Sequence, residues 1–290
     1  MVKQYRDVYL EARRALRERE GNLADSEARE LLCYHTGKSQ AELLRDMGLY
    51  GPEDLEDRVQ HSVDRLLSGE PLPYVIEQWD FYGMTLRVTK DTLIPRDDTM
   101  AVAELAVDSA LRLPPNPRIL DLCTGTGCIG LAVANKIRDA HVLLGDVSAP
   151  ALAVAKDNIR LHHLGGRVSA LRMDALSAPP PAITGFDMIV SNPPYVTAEE
   201  MEALPDSVKN YEPSLALYGG EDGLKFYRSI VSGYACTLNP DGLLCFEFGM
   251  GQESAVCRIL EEGGFSVEQL KKDTRGIIRA VLARKKREEA

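Results

Sequence analysis

One stretch limits what this chain can fold into more than any other: Asp121-Leu-Cys-Thr-Gly-Thr-Gly127. A short apolar run over 118–122 leads into it, and a helical pattern over 128–137 leaves it. Gly125, Gly127 and Gly130 match the spacing G-x-G-x-x-G. Glycines at a strand-to-helix turn take up backbone conformations denied to other residues and let the backbone approach a ligand. The stretch therefore predicts the first strand–turn–helix unit of an open α/β sheet, with a ligand at the carboxyl edge of its strands.

The rest of the chain agrees with that frame. After residue 96, strand patterns at 141–145, 168–173, 186–191 and 242–248 are separated by helical patterns at 150–161, 222–237 and 252–262. Single helices between strands imply a parallel, doubly wound sheet. Two further strands, 265–270 and 277–282, have no helix between them, so one is expected to run antiparallel. The tail from Arg284 to Ala290 reads as a solvated end. The chain has 290 residues, enough for a second, smaller domain. Residues 1–72 supply it: a helix over 5–19, a second capped by Asp25 or Ser26 and ended by Gly37, and a third opened by a capping box at Ser39 and Glu42. A fourth has Pro52 in its first turn and carries Leu55, Val59, Val63 and Leu66 on one side. Residues 73–95 gather aromatic and β-branched side chains around Gly83, which predicts a β-hairpin linker.

Composition excludes several functions. With 34 Lys+Arg against 44 Asp+Glu, the formal net charge is -10. That opposes binding bare nucleic acid by bulk electrostatics. The six cysteines form no Cys-x-x-Cys pair and the five histidines no ligand-spaced cluster, so no metal is expected and the thiols read as reduced. No membrane span and no apolar leader stand out, and a cytoplasmic monomer is expected.

The glycine loop suits two cofactors. A dinucleotide would place its pyrophosphate at the helix N-terminus. An acid in front of the glycines, Asp121, repels pyrophosphate but suits the ammonium and sulfonium of S-adenosylmethionine. Asp146, at the end of the next strand, is placed to hold ribose hydroxyls.

A second loop narrows the choice. The strand over 186–191 ends in Asn192-Pro193-Pro194-Tyr195. Paired prolines stiffen a loop and offer carbonyls without N–H groups. Asn192 adds a side-chain carbonyl and Tyr195 a flat ring, so the loop suits a planar group bearing an NH2.

Together these motifs resemble the N5-glutamine methyltransferases of peptide chain release factors. The carriers are Thr92-Leu-Ile-Pro-Arg96 with Asp98-Thr99, the glycine loop, Val190-Ser-Asn-Pro-Pro-Tyr195 and Tyr211-Glu-Pro213. The resemblance implies a Rossmann-like class I methyltransferase domain over 96–290, with a seven-stranded, mostly parallel sheet, and an N-terminal helical domain that helps recognise the protein substrate. It implies S-adenosylmethionine bound by Asp121, Cys123, Thr124, Gly125, Thr126, Gly127, Asp146, Val147, Asp174, Ala175 and Asn192. Asn192, Pro193 and Tyr195 would do the catalytic work, with Pro194, Arg96 and Glu212 also contacting substrate. The sequence departs from the family at Cys123, where Gly is usual, at Ala175, where an aromatic is common, and at Met100, where an acid is frequent. DNA adenine methyltransferases share Asn-Pro-Pro-Tyr, so a nucleic-acid base, or the glutamine of a ribosomal protein, is the competing target. An NAD-dependent oxidoreductase and a binding module without turnover are the remaining readings.

Overall fold

A computed structural model describes residues 2–287, which form two compact units, Met1–Glu77 and Gln78–Ala290. The first is helical: α1 (Tyr5–Glu20), α2 (Ala24–Thr36), α3 (Gln40–Asp46), α4 (Leu55–Leu67) and the short α5 (Leu72–Val75). Leu16, Leu31, Leu32, Leu43, Val63 and Leu66 fill its core. The capping box at Ser39 and Glu42 is formed, and Gly37 ends α2 in the left-handed conformation with φ 67°. Two expectations differ. No side chain caps α2: it opens at Ala24, and Asp25 instead accepts from Tyr9 and Arg29. Pro52 lies ahead of α4 rather than in its first turn.

The segment 73–95 divides at Glu77. Its start is helical and belongs to the first unit. Its hairpin, β1 (Gln78–Phe81) and β2 (Met84–Arg87), belongs to the second unit. Tyr82 and Gly83 both have positive φ, 52° and 74°, the pattern of a type I′ turn. Phe81, Met84 and Leu86 are buried in the sheet domain's core, which ties the hairpin to that domain.

The remaining elements are α6 (Met100–Ala110), β3 (Arg118–Leu122), α7 (Cys128–Lys136), β4 (His141–Asp146), α8 (Ala149–Leu161), β5 (Val168–Arg172), β6 (Phe186–Ser191), α9 (Ala198–Ala203), α10 (Asp206–Lys209), α11 (Lys225–Tyr234), β7 (Leu238–Glu247), α12 (Glu253–Glu262), β8 (Phe265–Lys272) and β9 (Ile278–Lys285). Seven strands form one sheet in the order β5-β4-β3-β6-β7-β9-β8. Among the seven, β9 runs opposite to the other six strands. Residues 284 and 285 close β9, so the tail is not wholly a solvated end, and 288–290 lie outside the described residues.

Successive strand residues serve opposite faces. Ile119, Val190 and Cys245 pack in one core, while Leu120, Ile189 and Leu244 pack in the other. The helices α6, α7 and α8 cover the first face, and α11 and α12 the second. Burial on both sides explains why these strands are nearly continuous apolar runs. The chain winds outward from β3 to β5, then returns to β6 on the other side of β3. The loops after β3 and β6 therefore flank the switch point, where ligands enter such sheets.

Candidate active site

A cleft of about 910 Å³, open solvent at its mouth included, lies at that switch point. Its wall includes Cys123, Thr124, Gly125, Thr126, Asp146, Val147, Asp174, Ala175, Asn192 and Pro194. The sequence places these residues on four separate segments, and the sheet brings them together.

The glycine loop holds its shape through backbone conformation. Cys123, Gly125 and Gly127 all have positive φ, 61°, 54° and 85°. Gly130 serves a different purpose: a Cβ there would stand 2.4 Å from Leu144 and 2.9 Å from the Asp121 carboxylate. Asp121 lies outside the cleft wall, buried under the loop. Its Oδ2 accepts from the Thr124 hydroxyl at 2.6 Å and the Gly130 N–H at 2.8 Å. Its Oδ1 is buried with no partner. Burial pushes its carboxyl up to about 7, against the pull of the hydrogen bonds from Thr124 and Gly130. Asp121 thus organises the loop, a correction to its expected direct contact with cofactor. It also occupies an N–H of the first turn of α7, one of the donors a pyrophosphate would need.

Asp146 lines the cleft, but its oxygens already accept from Gly125 N–H at 2.8 Å and Ser148 N–H at 2.9 Å. Each oxygen keeps lone-pair capacity for a hydroxyl donor. Asp174 accepts from Leu176 N–H and the Ser177 hydroxyl, both at 2.8 Å, and so shapes the turn that presents Ala175. Cys123 is strained for a residue with a side chain, and burial raises its thiol pKa, so it is no nucleophile at neutral pH.

Behind β6, Asn192 donates from Nδ2 to the Thr99 hydroxyl at 3.3 Å. That contact leaves its Oδ1 as the acceptor for a ligand. Asn192 and Pro194 are on the cleft wall; Pro193 and Tyr195 are not. Tyr195 packs its ring against the core on the α11 face, and its hydroxyl lies 3.4 Å from Glu247. Its expected role as a flat surface for substrate is therefore not what the fold provides. The loop is clasped from outside. A Cβ at Gly219 would stand 2.6 Å from the Pro194 carbonyl, and one at Gly223 2.3 Å from the Tyr195 carbonyl. Gln252 donates to that Tyr195 carbonyl at 3.1 Å.

Arg96 and Glu212 are paired with each other. Glu212 is buried and also accepts from the Ile94 N–H at 3.3 Å. Rather than reaching out to a substrate, Glu212 ties the 92–96 segment to the 211–213 segment, and both help form the cleft wall through Thr92, Leu93, Pro95 and Pro213. Met100 is partly buried against the core at the start of α6, a place where an acid would be desolvated.

Two residues escaped the sequence reading. Asn158 is fully buried and joins the Arg87 backbone to the Thr126 carbonyl, so it locks the hairpin and the glycine loop onto α8. Phe226 lines the cleft beside Ala175. One turn along α11, the Ser229 hydroxyl donates to the Ala175 carbonyl at 2.7 Å, and Tyr234 donates to the Asp174 carbonyl at 2.9 Å. The helical spacing of Phe226, Ser229 and Tyr234 was visible, but nothing in it said which loop α11 would meet.

Known proteins share this arrangement. The family model described as the PrmC N-terminal domain matches residues 7–76, and that of the methyltransferase small domain matches 103–208. A release factor glutamine methyltransferase of Clostridium acetobutylicum is 35% identical over 278 residues, covering 96% of this chain and 97% of its own. This chain belongs to the release factor glutamine methyltransferase family. The relative of that name from Geobacter sulfurreducens is 40% identical over 223 residues, 77% of this chain and 76% of its own. A methyltransferase from Pyrococcus furiosus shares the fold with a TM-score of 0.52 at 18% identity, over 79% of this chain and 100% of that one. The family implies S-adenosylmethionine, and the cleft fits it. Backbone at Gly125 is open to close approach, Asp146 retains acceptor capacity for a ribose, and Ala175 and Phe226 offer apolar surface for a base.

Proposed function

We propose that the protein transfers a methyl group from S-adenosylmethionine to the side-chain amide nitrogen, N5, of the glutamine in the Gly-Gly-Gln motif of peptide chain release factors. The observation that carries this reading is Asn192: its Nδ2 is engaged by Thr99, so its carbonyl faces the cleft as an acceptor for an amide NH2. The sulfonium supplies an electrophilic methyl group when the cofactor is bound. A carboxamide nitrogen is a weak nucleophile because its lone pair is delocalised into the carbonyl. Asn192 Oδ1 accepts one of its N–H bonds, fixes its line of attack and favours the positive charge that grows on it. Positioning of this kind supplies on the order of 7–11 kcal/mol at the best geometries. The methylated, protonated amide is strongly acidic and loses its proton to water, so no dedicated base is required. The N-terminal unit, residues 1–77, contributes to recognition of the release factor. Among the described residues no helix is long and apolar enough to cross a membrane, and a cytoplasmic location goes with a substrate used in translation.

The test is methylation of purified release factor with labelled cofactor, using wild-type substrate and one with the motif glutamine replaced. Label is expected in the first and not in the second. Incorporation into nucleic acid, or into a ribosomal protein alone, overturns the assignment.

A further inference from the structure

The hairpin and the glycine loop are distant in the chain, yet one side chain is bonded to both. Asn158 of α8 is fully buried. Its Oδ1 accepts from the Arg87 N–H at 2.7 Å, and its Nδ2 donates to the Arg87 carbonyl at 3.0 Å and to the Thr126 carbonyl at 2.9 Å. Both of its N–H bonds are therefore used. The pairing with Arg87 fixes which way the amide faces, because a flipped group would set its oxygen against two carbonyls. Four residues on, His162 Nε2 donates to the Thr85 carbonyl at 2.9 Å. Four helical residues rise about 6 Å and two strand residues about 6.8 Å. The two side chains of α8 thus match backbone groups two residues apart on β2.

We infer that Asn158 is a positioning residue for cofactor binding: it fixes the peptide between Thr126 and Gly127 in the orientation the glycine loop needs. The inference rests on S-adenosylmethionine lying against this loop, and not on which group accepts the methyl. An α-helix bonds each carbonyl to the N–H four residues on. For Thr126 that N–H belongs to Gly130, and it is already taken by the Asp121 carboxylate at 2.8 Å. Thr126 is buried, so its carbonyl needs another donor, and Asn158 supplies it. At the other end of the same peptide, the Gly127 N–H donates to the Thr124 carbonyl at 2.8 Å. The peptide plane is therefore held from both sides. It has to be held, because Gly127, at φ 85°, belongs to a residue type that takes positive and negative φ about equally. Its own backbone preference does not stop the peptide from turning over. Thr124, Gly125 and Thr126 all line the cleft, so a turn of this peptide reshapes the wall that meets the cofactor. Without Asn158 the Thr126 carbonyl is left buried and unpaired, a cost that the loop escapes only by rearranging.

The test uses the full-length protein and needs no methyl acceptor. Asn158→Leu keeps the size of the side chain and removes its donors. By calorimetry it is expected to bind the product S-adenosylhomocysteine about tenfold or more weakly than wild type, while methyl transfer at saturating cofactor is retained. In the ligand-free protein, exchange of the Gly127 amide proton, followed by nuclear magnetic resonance, should be faster in this variant by about tenfold or more. His162→Leu removes a hairpin contact that does not reach the glycine loop, and should bind S-adenosylhomocysteine as wild type does. Wild type supplies a check that a variant's failure to fold cannot spoil. Saturating S-adenosylhomocysteine should slow exchange of the Arg87 amide, which is not on the cleft wall, because a loop locked by ligand tightens the Asn158 amide that Arg87 shares. Arg87 exchange that ignores the ligand overturns the inference. So does undiminished affinity in Asn158→Leu, or an equal loss in His162→Leu, which would reduce Asn158 to an anchor for the hairpin. Failure of wild type to bind S-adenosylhomocysteine would instead defeat the cofactor reading, and Gly127 exchange in the free protein would still decide whether Asn158 holds the loop.

Discussion

The two loops that flank the switch point reach rigidity by opposite means. The loop after β3 is shaped from within. Positive φ at Cys123, Gly125 and Gly127 bends it, and Asp121, three residues before Thr124, locks it from below. The loop after β6 has its own stiffness from Pro193 and Pro194, but its position is imposed from outside. Gly219 and Gly223 admit its backbone to contact no side chain would allow, and Gln252, Thr99 and Glu247 hold its polar groups. A loop shaped locally can be read from a few adjacent residues. One shaped by distant partners can be altered from positions that never touch a ligand.

The largest effect should come from the second loop's own polar group. Asn192→Ala is expected to cut methyl transfer by about 10² or more while cofactor affinity by calorimetry stays near wild type. If turnover survives, this loop is not where the amide is held. Next comes the clasp. Gly219→Ala forces a Cβ to within 2.6 Å of the Pro194 carbonyl. It should destabilise the fold by about 1–3 kcal/mol in denaturant titration and slow the reaction more than it weakens cofactor binding. Equal loss in both would mean that the two loops move as one.

The first loop and its neighbours should behave in the reverse sense, through affinity. Phe226→Ala removes the aromatic beside Ala175 and should weaken S-adenosylmethionine by about 1 kcal/mol, with the rate at saturation retained. Calorimetry and saturation kinetics separate these, and restoration by adding Ala175→Phe would place the lost contact at the base. Cys123→Gly tests local shape alone. Relief of the left-handed conformation favours the variant by about 1–2 kcal/mol, less the packing of the thiol, so its thermal midpoint should equal or exceed that of wild type.

The smallest effect concerns the lock beneath the loop. Burial raises the Asp121 carboxyl in the folded state to about 7, above the usual aspartate range. The folded state therefore holds this proton more tightly than the unfolded chain does. That stabilisation is present below pH 4, declines as the pH rises toward 7, and is gone above it. Asp121→Asn should flatten this part of the stability–pH curve between pH 4 and 7. An identical curve in the variant would show that Asp121 is ionised throughout.

Much of this was legible in the chain. β3 and β6 coincide with their expected spans, and the helix-free link between the last two strands foretold that one of them runs antiparallel. Asn192 and the glycine loop stand out in the sequence because their chemistry is local: a strand end, a turn and a polar group lie within a few residues. The errors share a cause. Glu212 and Arg96 looked like residues free to meet substrate, but each was the other's partner across the fold. Tyr195 looked like an open ring because the sequence cannot show that Gly249 and the α11 face leave room to bury it.

The sequence by itself determined the succession of strands and helices, the glycine turn and the polar amide of Asn192 at a strand end, because dihedral preference, periodicity and functional groups belong to residues and their near neighbours. Only the tertiary structure decided which of those groups face the cleft. Whether Asp121 meets a ligand or a Gly130 N–H, whether Phe226 meets solvent or Ala175, and which way the Asn192 amide turns all depend on contacts between residues far apart in the chain. Those contacts are fixed by the packing of the whole sheet domain.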